Sequence, residues 1–384
     1  MTKTVLFVQH ANTDYYPTTY NASRLLAGEG FHVIVCCRGD RQVVIPEYGR
    51  GIEVLRVGST GGGVRSVRDF FRLSWVAWRS ARRTAACVVV GFDIYGGVIA
   101  YLISRLTKIP FFYHCYDVFS ASEGIGRFTR ALKPLERRAA FAATRVVLPS
   151  ESKAERFEAE VGAGFERTIV ANAPPLQPRK RTDVLRRMLA ERGAPFEYVV
   201  YYHGSIAADK GLLQVLRSMV RWPATSSFVL VGPAYDAAFM ARFMEAARNL
   251  GLTSRVMRLD MMPLTELLDL TRSADVGVFV PEPDSIINVY SGAAVVKLND
   301  YLACALPFVT SRIPPLEALV LTTGAGIVVD PQDTASMGDE VAALLTDTRR
   351  RATMADNAYR AHRESYNLER QYATTLETIR TICG

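Results

Sequence analysis

The chain has 384 residues, of which 49% are hydrophobic and 22% charged. That is enough for two domains with a core each, and it excludes a disordered or fibrous chain. The net charge of +8 is unevenly placed, with 23 Lys+Arg against 15 Asp+Glu in residues 1–175 and 23 of each in the remainder, so a basic first half points to an anionic partner such as a phospholipid surface or a phosphorylated acceptor, with solubility as the plainer account.

Residues 1–4 run straight into a short strand without a long apolar segment and cleavage site, so no leader is expected. Strand-like runs then recur at 4–8, 33–37, 52–57, 87–90, 111–115, 145–148 and 168–171, with helical patterns between them. This alternation predicts a mostly parallel sheet covered by helices, a Rossmann-like domain. Its opening unit is a strand, a polar loop 10–19 and a helix 20–27 closed by Gly28 and Gly30. Residues 64–83 set Arg65, Arg68, Arg72, Arg79 and Arg83 on one helical face, with Phe70, Phe71 and Trp78 largely away from it. Such a helix suits an anionic membrane surface, and it equally suits aromatics packed on the sheet. Arg127, Arg130, Lys133, Arg137 and Arg138 supply a second basic stretch. The longest apolar region, 85–106, contains Asp93 and several glycines and reads as strand, turn and helix instead of a membrane span.

Residues 173–181 interrupt the pattern with three prolines and a cationic run, which marks a linker. Strand-like runs resume at 198–202, 228–231, 256–259, 276–280, 308–310 and 326–329 and predict a second Rossmann-like domain. A last helical stretch, 371–382, follows a break at Tyr366 and Asn367 and is expected to pack back on the first domain. The expected divisions are therefore 1–175, a linker region 176–195, 196–366, and a C-terminal helix in 367–384. Cys36, Cys37, Cys87, Cys115, Cys304 and Cys383 show no paired metal spacing and are read as reduced, mostly buried thiols of a cytoplasmic protein.

Two stretches carry chemistry. Tyr198 to His203 feeds Gly204, Ser205 and then Lys210 and Gly211 before the apolar-periodic run 212–219. A strand entering a helix through a glycine turn offers backbone N–H groups and the positive end of a dipole, and Lys210 adds a full charge, which together suit a diphosphate. An ordinary crossover with a surface lysine is the competing account. In 291–309, apolar residues at 294, 295, 298, 301, 302 and 305 mark one buried helical face, while Lys297 and Asp300 share the other. A short carboxylate there can hold the vicinal hydroxyls of a ribose, or simply make a surface ion pair.

With these residues in place, the chain resembles glycosyltransferases of the GT-B fold, in the family 4-like retaining group that includes phosphatidylinositol mannosyltransferases and lipopolysaccharide glucosyltransferases. Gly204 with Lys210-Gly211, the block Lys297-Leu298-Asn299-Asp300-Tyr301-Leu302-Ala303 with Leu306-Pro307-Phe308-Val309, residues 228–232, Ala274-Asp275-Val276 and residues 324–331 follow that family's order. The resemblance implies an α/β protein of two facing Rossmann-like domains with the donor on the second and the acceptor on the first. It implies that Lys210 neutralises the donor diphosphate, that Asp300 accepts the ribose hydroxyls, and that the loop of Asn288, Tyr290, Ser291 and Gly292 offers amides to phosphate or sugar. The donor implied is a UDP-sugar, with a GDP-sugar as second choice. The acceptor expected is a lipid-linked or small molecule, and the basic 64–83 helix with the charge of the first half points to peripheral contact with the inner membrane face; no nucleic acid partner is expected.

The departures from the family pattern matter as much. Ser205 stands where a second cation is usual, Gly292 where a first glutamate is common, and Ala305 where a glycine is common at the helix end. In 111–117, Tyr116 takes the usual histidine position, with Asp117 keeping the acid and His114 two residues earlier on the same strand face. His114 and Asp117 are thus the catalytic candidates of the first half. No carboxylate or histidine cluster has metal-ligand spacing, so a metal-independent transfer is expected. The alternatives are a nucleotide-sugar epimerase, which needs a stronger acid-base set, and a non-catalytic scaffold of the same fold.

Overall fold

A computed structural model describes residues 2–39, 48–58, 63–118, 125–193, 195–283 and 286–384. Its chain divides into two compact units, residues 1–172 with 368–384, and residues 173–367.

The first unit carries the strands Thr4–Gln9 (β1), His32–Arg38 (β2), Ile52–Val57 (β3), Val88–Phe92 (β4), Phe111–His114 (β5), Arg145–Leu148 (β6) and Arg167–Ile169 (β7). They pair in parallel in the order β3-β2-β1-β4-β5-β6-β7. Strands covered by helices on both faces read as near-continuous apolar runs, and Val5, Leu6, Phe7 and Val8 are all fully buried. Leu6, Val8 and Val89 face a core shared with the helices Val64–Arg83 and Asp93–Thr107. Val5, Phe7 and Val90 face one shared with the helix Pro17–Gly28 and with Leu368, Tyr372 and Ile379 of the C-terminal segment. That first helix begins at Pro17, three residues before the expected start, because proline's fixed φ and missing N–H suit the first helical position.

The second unit carries Tyr198–His203 (β8), Ser226–Val231 (β9), Val256–Leu259 (β10), Val276–Phe279 (β11), Phe308–Ser311 (β12) and Gly326–Val329 (β13). They are again parallel, in the order β10-β9-β8-β11-β12-β13. All the expected strands are found within two residues of their sequence bounds. In each sheet the strand order reverses once, between β1 and β4 and between β8 and β11. Ligands of open parallel sheets bind beyond the strands' carboxyl ends at such a reversal.

Two expectations are corrected. Residues 176–195 are not a free linker: the helix Val184–Glu191 buries Leu185 and Leu189 in the second unit's core. Arg181 and Arg186 also pair there with Asp275, at 3.1 and 2.6 Å. The prolines at 174, 175 and 178 break regular structure without detaching the chain. The cysteines are not all reduced: Cys87, just before β4, is bonded to Cys383 in the helix Ala373–Cys383, while Cys36, Cys37, Cys115 and Cys304 are free and buried. A separation of 296 residues hid that pairing, because nothing local in the sequence brings the two thiols together. Lys3 adds contacts to the carbonyls of Cys383 and Gly384, and Arg380 pairs with Glu29. No described helix is long and apolar enough to cross a membrane.

Candidate active site

In the second unit, the carboxyl ends of β8 and β11 are brought together by close backbone approach. Gly211 has φ +66°, and a Cβ there would lie 1.8 Å from the carbonyl oxygen of Val280. Gly232, at the end of β9, has φ +139°, and a Cβ would lie 2.2 Å from the Gly204 carbonyl. Only glycine fits either position. The backbone of 204–211 therefore sits directly on the β8–β11 reversal.

Lys210 lies on this turn, mostly buried, with Nζ 2.6 Å from Asp209 Oδ2 and 3.3 Å from Asn288 Oδ1. Asn288 in turn donates from Nδ2 to the Asp209 carbonyl at 2.9 Å, which fixes the 286–289 helix against the turn. The helix that follows Gly211, Leu212–Ser218, is only seven residues long. The Lys210 and Gly211 amides are spent on the carbonyls of Ala207 and Ala208. Positive charge here rests more on side chains than on the exposed amides expected from the sequence.

The second cation is Lys297. From the helix Val296–Ala303 its side chain reaches back over the turn, so that a Cβ on Gly204 would lie 3.3 Å from Nζ. The ammonium sits 4.4 Å from the Phe279 ring centroid and 4.9 Å from that of Tyr202. Burial, with Lys210's charge second, pulls its pKa down to about 7. The sequence places it on one helical face with Asp300, at the head of the block that resembles the family, and assigns it no ligand contact.

Asp300 is corrected most. It is not on an open face; it is 1% exposed, with Oδ2 3.4 Å from Nε2 of the equally buried His203 and no hydrogen bond to that oxygen. Burial pushes the carboxyl up to about 7 and holds the imidazole down at about 3, so His203 is neutral. Being one methylene shorter than glutamate, the side chain ends beside His203 in the core. Gly292 begins a short 3-10 turn with φ +45°, and a Cβ would meet Pro315 at 3.0 Å, so a side chain there would be strained and tightly packed. Ser291 is buried and its amide bonds the Asn288 carbonyl at 3.1 Å, Tyr290 is half-buried, and Ser205, also half-buried, accepts the Tyr202 hydroxyl on its carbonyl at 2.6 Å.

In the first unit the corresponding edge is built from paired charges. His10, just beyond β1, contacts the Ser66 carbonyl through Nε2 at 3.1 Å, and burial, helped by Arg38, holds its pKa near 4. Arg38 at the end of β2 pairs with the fully buried Asp69 at 3.0 Å, and Arg56 on β3 pairs with Asp14 at 2.7 Å. Asp93, just beyond β4, has φ +53°, a strained conformation for a non-glycine residue and a common mark of functional positions. Its Oδ1 accepts the amides of Tyr116 and Asp117 at 2.8 and 3.4 Å, and burial, with Asp117 second, pushes its carboxyl up to about 7.

His114, expected as a catalytic candidate, lies in the core. It is wholly buried on β5 between Phe92, Tyr116 and Tyr372, hydrogen-bonded at neither nitrogen, with its pKa near 3 through burial. Asp117 is exposed and ion-paired with Lys153. Sequence reasoning passed over Asp93, His10 and Arg38, whose shared signal is position: each stands at or just past the carboxyl end of a strand.

Comparison with known proteins agrees with both halves. Residues 17–173 match the glycosyl transferase 4-like domain, and residues 197–347 match the glycosyl transferases group 1 domain. A D-inositol 3-phosphate glycosyltransferase of Xylanimonas cellulosilytica is 27% identical over 238 residues, 59% of this chain and 55% of that protein. The chain thus matches about half the length of this curated relative. The structure is similar to that of HepE from Anabaena in complex with UDP and glucose, with a TM-score of 0.77 at 16% identity over 99% of this chain and all of that one. It is also similar to WaaG, a glycosyltransferase involved in lipopolysaccharide biosynthesis, with a TM-score of 0.69 at 17% identity over 98% and 99% of the two chains. Both domain families in their expected order, on two parallel sheets with this fold, make the chain a member of the family 4-like glycosyltransferases of the GT-B fold.

Proposed function

We propose that the chain transfers a hexosyl group from a nucleotide diphosphate sugar, a UDP-sugar in the first instance, to a hydroxyl of an anionic acceptor. The observation that carries this is the Lys210 ammonium, set on a glycine-built backbone at the β8–β11 reversal. The UDP bound to HepE supports the choice of base.

In the proposed reaction the bond between the anomeric carbon and the diphosphate oxygen breaks while the acceptor oxygen bonds to that carbon on the same face. The acceptor proton passes to the departing phosphate oxygen, so retention needs no side-chain base. Lys210 offsets the charge gained by the leaving group, and no metal is required. Asn288 holds the Lys210 turn, and Asp300 supports it from the core without touching the sugar.

The first unit binds the acceptor in this reading. Its helix Val64–Arg83 buries Phe70 and Leu73 but leaves Val64, Phe71 and Trp75 at 85%, 62% and 56% exposed among its arginines. These three lie on one stripe at spacings of seven and four. Rings set among arginines fit the headgroup boundary of an anionic membrane, so the acceptor proposed is lipid-linked. The name of the Xylanimonas relative favours a small phosphorylated alcohol instead, and both share an anionic group.

Incubation with UDP-hexoses and candidate acceptors, with EDTA present, tests the reading. Product with a retained anomeric configuration is expected. Nucleotide binding without turnover on any acceptor would leave a scaffold, and loss of turnover on chelation that magnesium or manganese restores would remove the metal-free mechanism.

A further inference from the structure

The family pattern places a second cation at the position of Ser205, and this chain lacks it. We infer that Lys297 supplies that charge from the opposite side of the turn, and that the diphosphate is the counter-ion its ammonium lacks in the free protein. The inference rests on the proposed donor chemistry and adds a residue to it.

Three observations carry it. The ammonium lies where a side chain on Gly204 would point, over the same turn that bears Lys210. Its neighbours are the faces of Phe279 and Tyr202, which attract a cation without neutralising it. Among the described residues it makes no ion pair within 4.0 Å, whereas Lys210 has Asp209 at 2.6 Å. An ammonium over two rings, half-buried and without a carboxylate, is an incomplete electrostatic site, and desolvated charge is costly until a partner arrives.

The charged and titratable groups around it are Lys210 and Asp209 on the turn, Asp300 one helical turn away, and His203 at the end of β8. Burial, with Lys210's repulsion second, outweighs the pull of Asp209 and Asp300, so the free ammonium gives up part of its protons near neutral pH, in keeping with a pKa of about 7. A diphosphate bound beside it reverses the balance, raises the pKa and draws a proton from solvent onto Nζ. Nucleotide affinity therefore falls as pH rises from 7 to 9, beyond any change owed to the phosphate itself.

Calorimetric titration of UDP into the full chain, at pH 7.5 in two buffers of different ionisation enthalpy, tests this. The native protein should take up a fraction of a proton per UDP bound. Lys297→Met, which keeps a long apolar stem against the rings, should bind UDP roughly ten- to a hundredfold more weakly, the worth of a charged hydrogen bond, and without proton uptake. It should bind uridine as the native protein does. Lys297→Arg should recover UDP affinity yet take up no proton, since guanidinium stays charged. Equal UDP affinity in native and Lys297→Met protein of unchanged melting temperature would overturn the inference while leaving the proposed function standing. No binding of any nucleoside diphosphate by the native protein would overturn both.

Discussion

The two sheet edges solve the same problem with different materials. In the second unit the carboxyl ends of β8, β9 and β11 are lined by backbone, with Gly211 and Gly232 admitting contacts that any Cβ would block. Two lysines supply the charge. In the first unit the ends of β1 to β5 carry side chains already paired with one another, as Arg38 with Asp69, Arg56 with Asp14 and Lys153 with Asp117. A backbone-lined edge with spare positive charge suits one constant group, a diphosphate. An edge of mutually satisfied charges suits selection among acceptors, because a ligand must compete with an existing partner at each position.

The largest expected effect separates the edges directly. Lys210→Ala should lower kcat by roughly a hundred- to a thousandfold, about 2.7 to 4 kcal/mol, by analogy with removal of one donor to a developing anion. The fold should survive, because the Asp209 partner is itself more than a third exposed. A variant that keeps most of its kcat with a UDP-sugar would move the leaving group away from this turn.

The next effect belongs to the first unit alone. The Cys87–Cys383 bond ties the C-terminal helix to the strand before β4, and a cross-link of this kind stabilises by about 2 to 4 kcal/mol, mainly by restricting the unfolded chain. Cys383→Ser, or reductant on the native protein, should lower the unfolding transition that UDP does not shift, and leave the UDP-sensitive one in place. If thiol labelling under native conditions shows both cysteines free and reductant changes nothing, the bond does not form in solution.

Exposed rings on the Val64–Arg83 helix should matter less, and only to the first unit's partner. Phe71→Ser with Trp75→Ser should reduce binding to anionic vesicles by roughly tenfold, since each exposed ring loses part of the apolar burial available at the headgroup boundary. UDP affinity should not move. Equal partitioning of the native protein onto neutral and anionic vesicles would mean that its arginines meet no lipid, and that the acceptor is soluble.

Sequence periodicity recovered the strands because parallel strands covered on both faces are short continuous apolar runs between helical patterns, as in 4–8 and 228–231. It also located the Gly204 to Gly211 turn, where backbone approach demands particular residue types. It failed where the answer depends on which way a side chain leaves its helix. Lys297 and Asp300 share a face on a helical wheel, yet Lys297 runs out over Gly204 while Asp300 ends against His203 in the core. His114 looked like a site residue because strand alternation says which face it occupies, without saying that Phe92 and Tyr372 cover that face. Cys87 and Cys383 are joined by the tertiary fold alone.

The last effect concerns Asp93, and its sign distinguishes a strained functional position from a merely structural one. Its carboxyl titrates near 7 in the folded protein against 3.8 in the unfolded chain, because burial and Asp117 oppose its charge. The folded state therefore binds more protons than the unfolded state between those values, so this residue's contribution to stability is greatest in acid and declines as pH rises from about 4 through 7. Asp93→Asn keeps an oxygen for the amides of Tyr116 and Asp117, and asparagine tolerates the left-handed backbone at φ +53°. The variant should be more stable than the native protein at pH 8, little different at pH 4, and flatter in its melting temperature between them. UDP affinity should be unchanged, because the residue lies in the first unit. If acceptor turnover is lost while stability rises, the native chain keeps a destabilising carboxylate because the reaction uses it. If turnover is unchanged, the strain at Asp93 serves only to join the ends of β4 and β5.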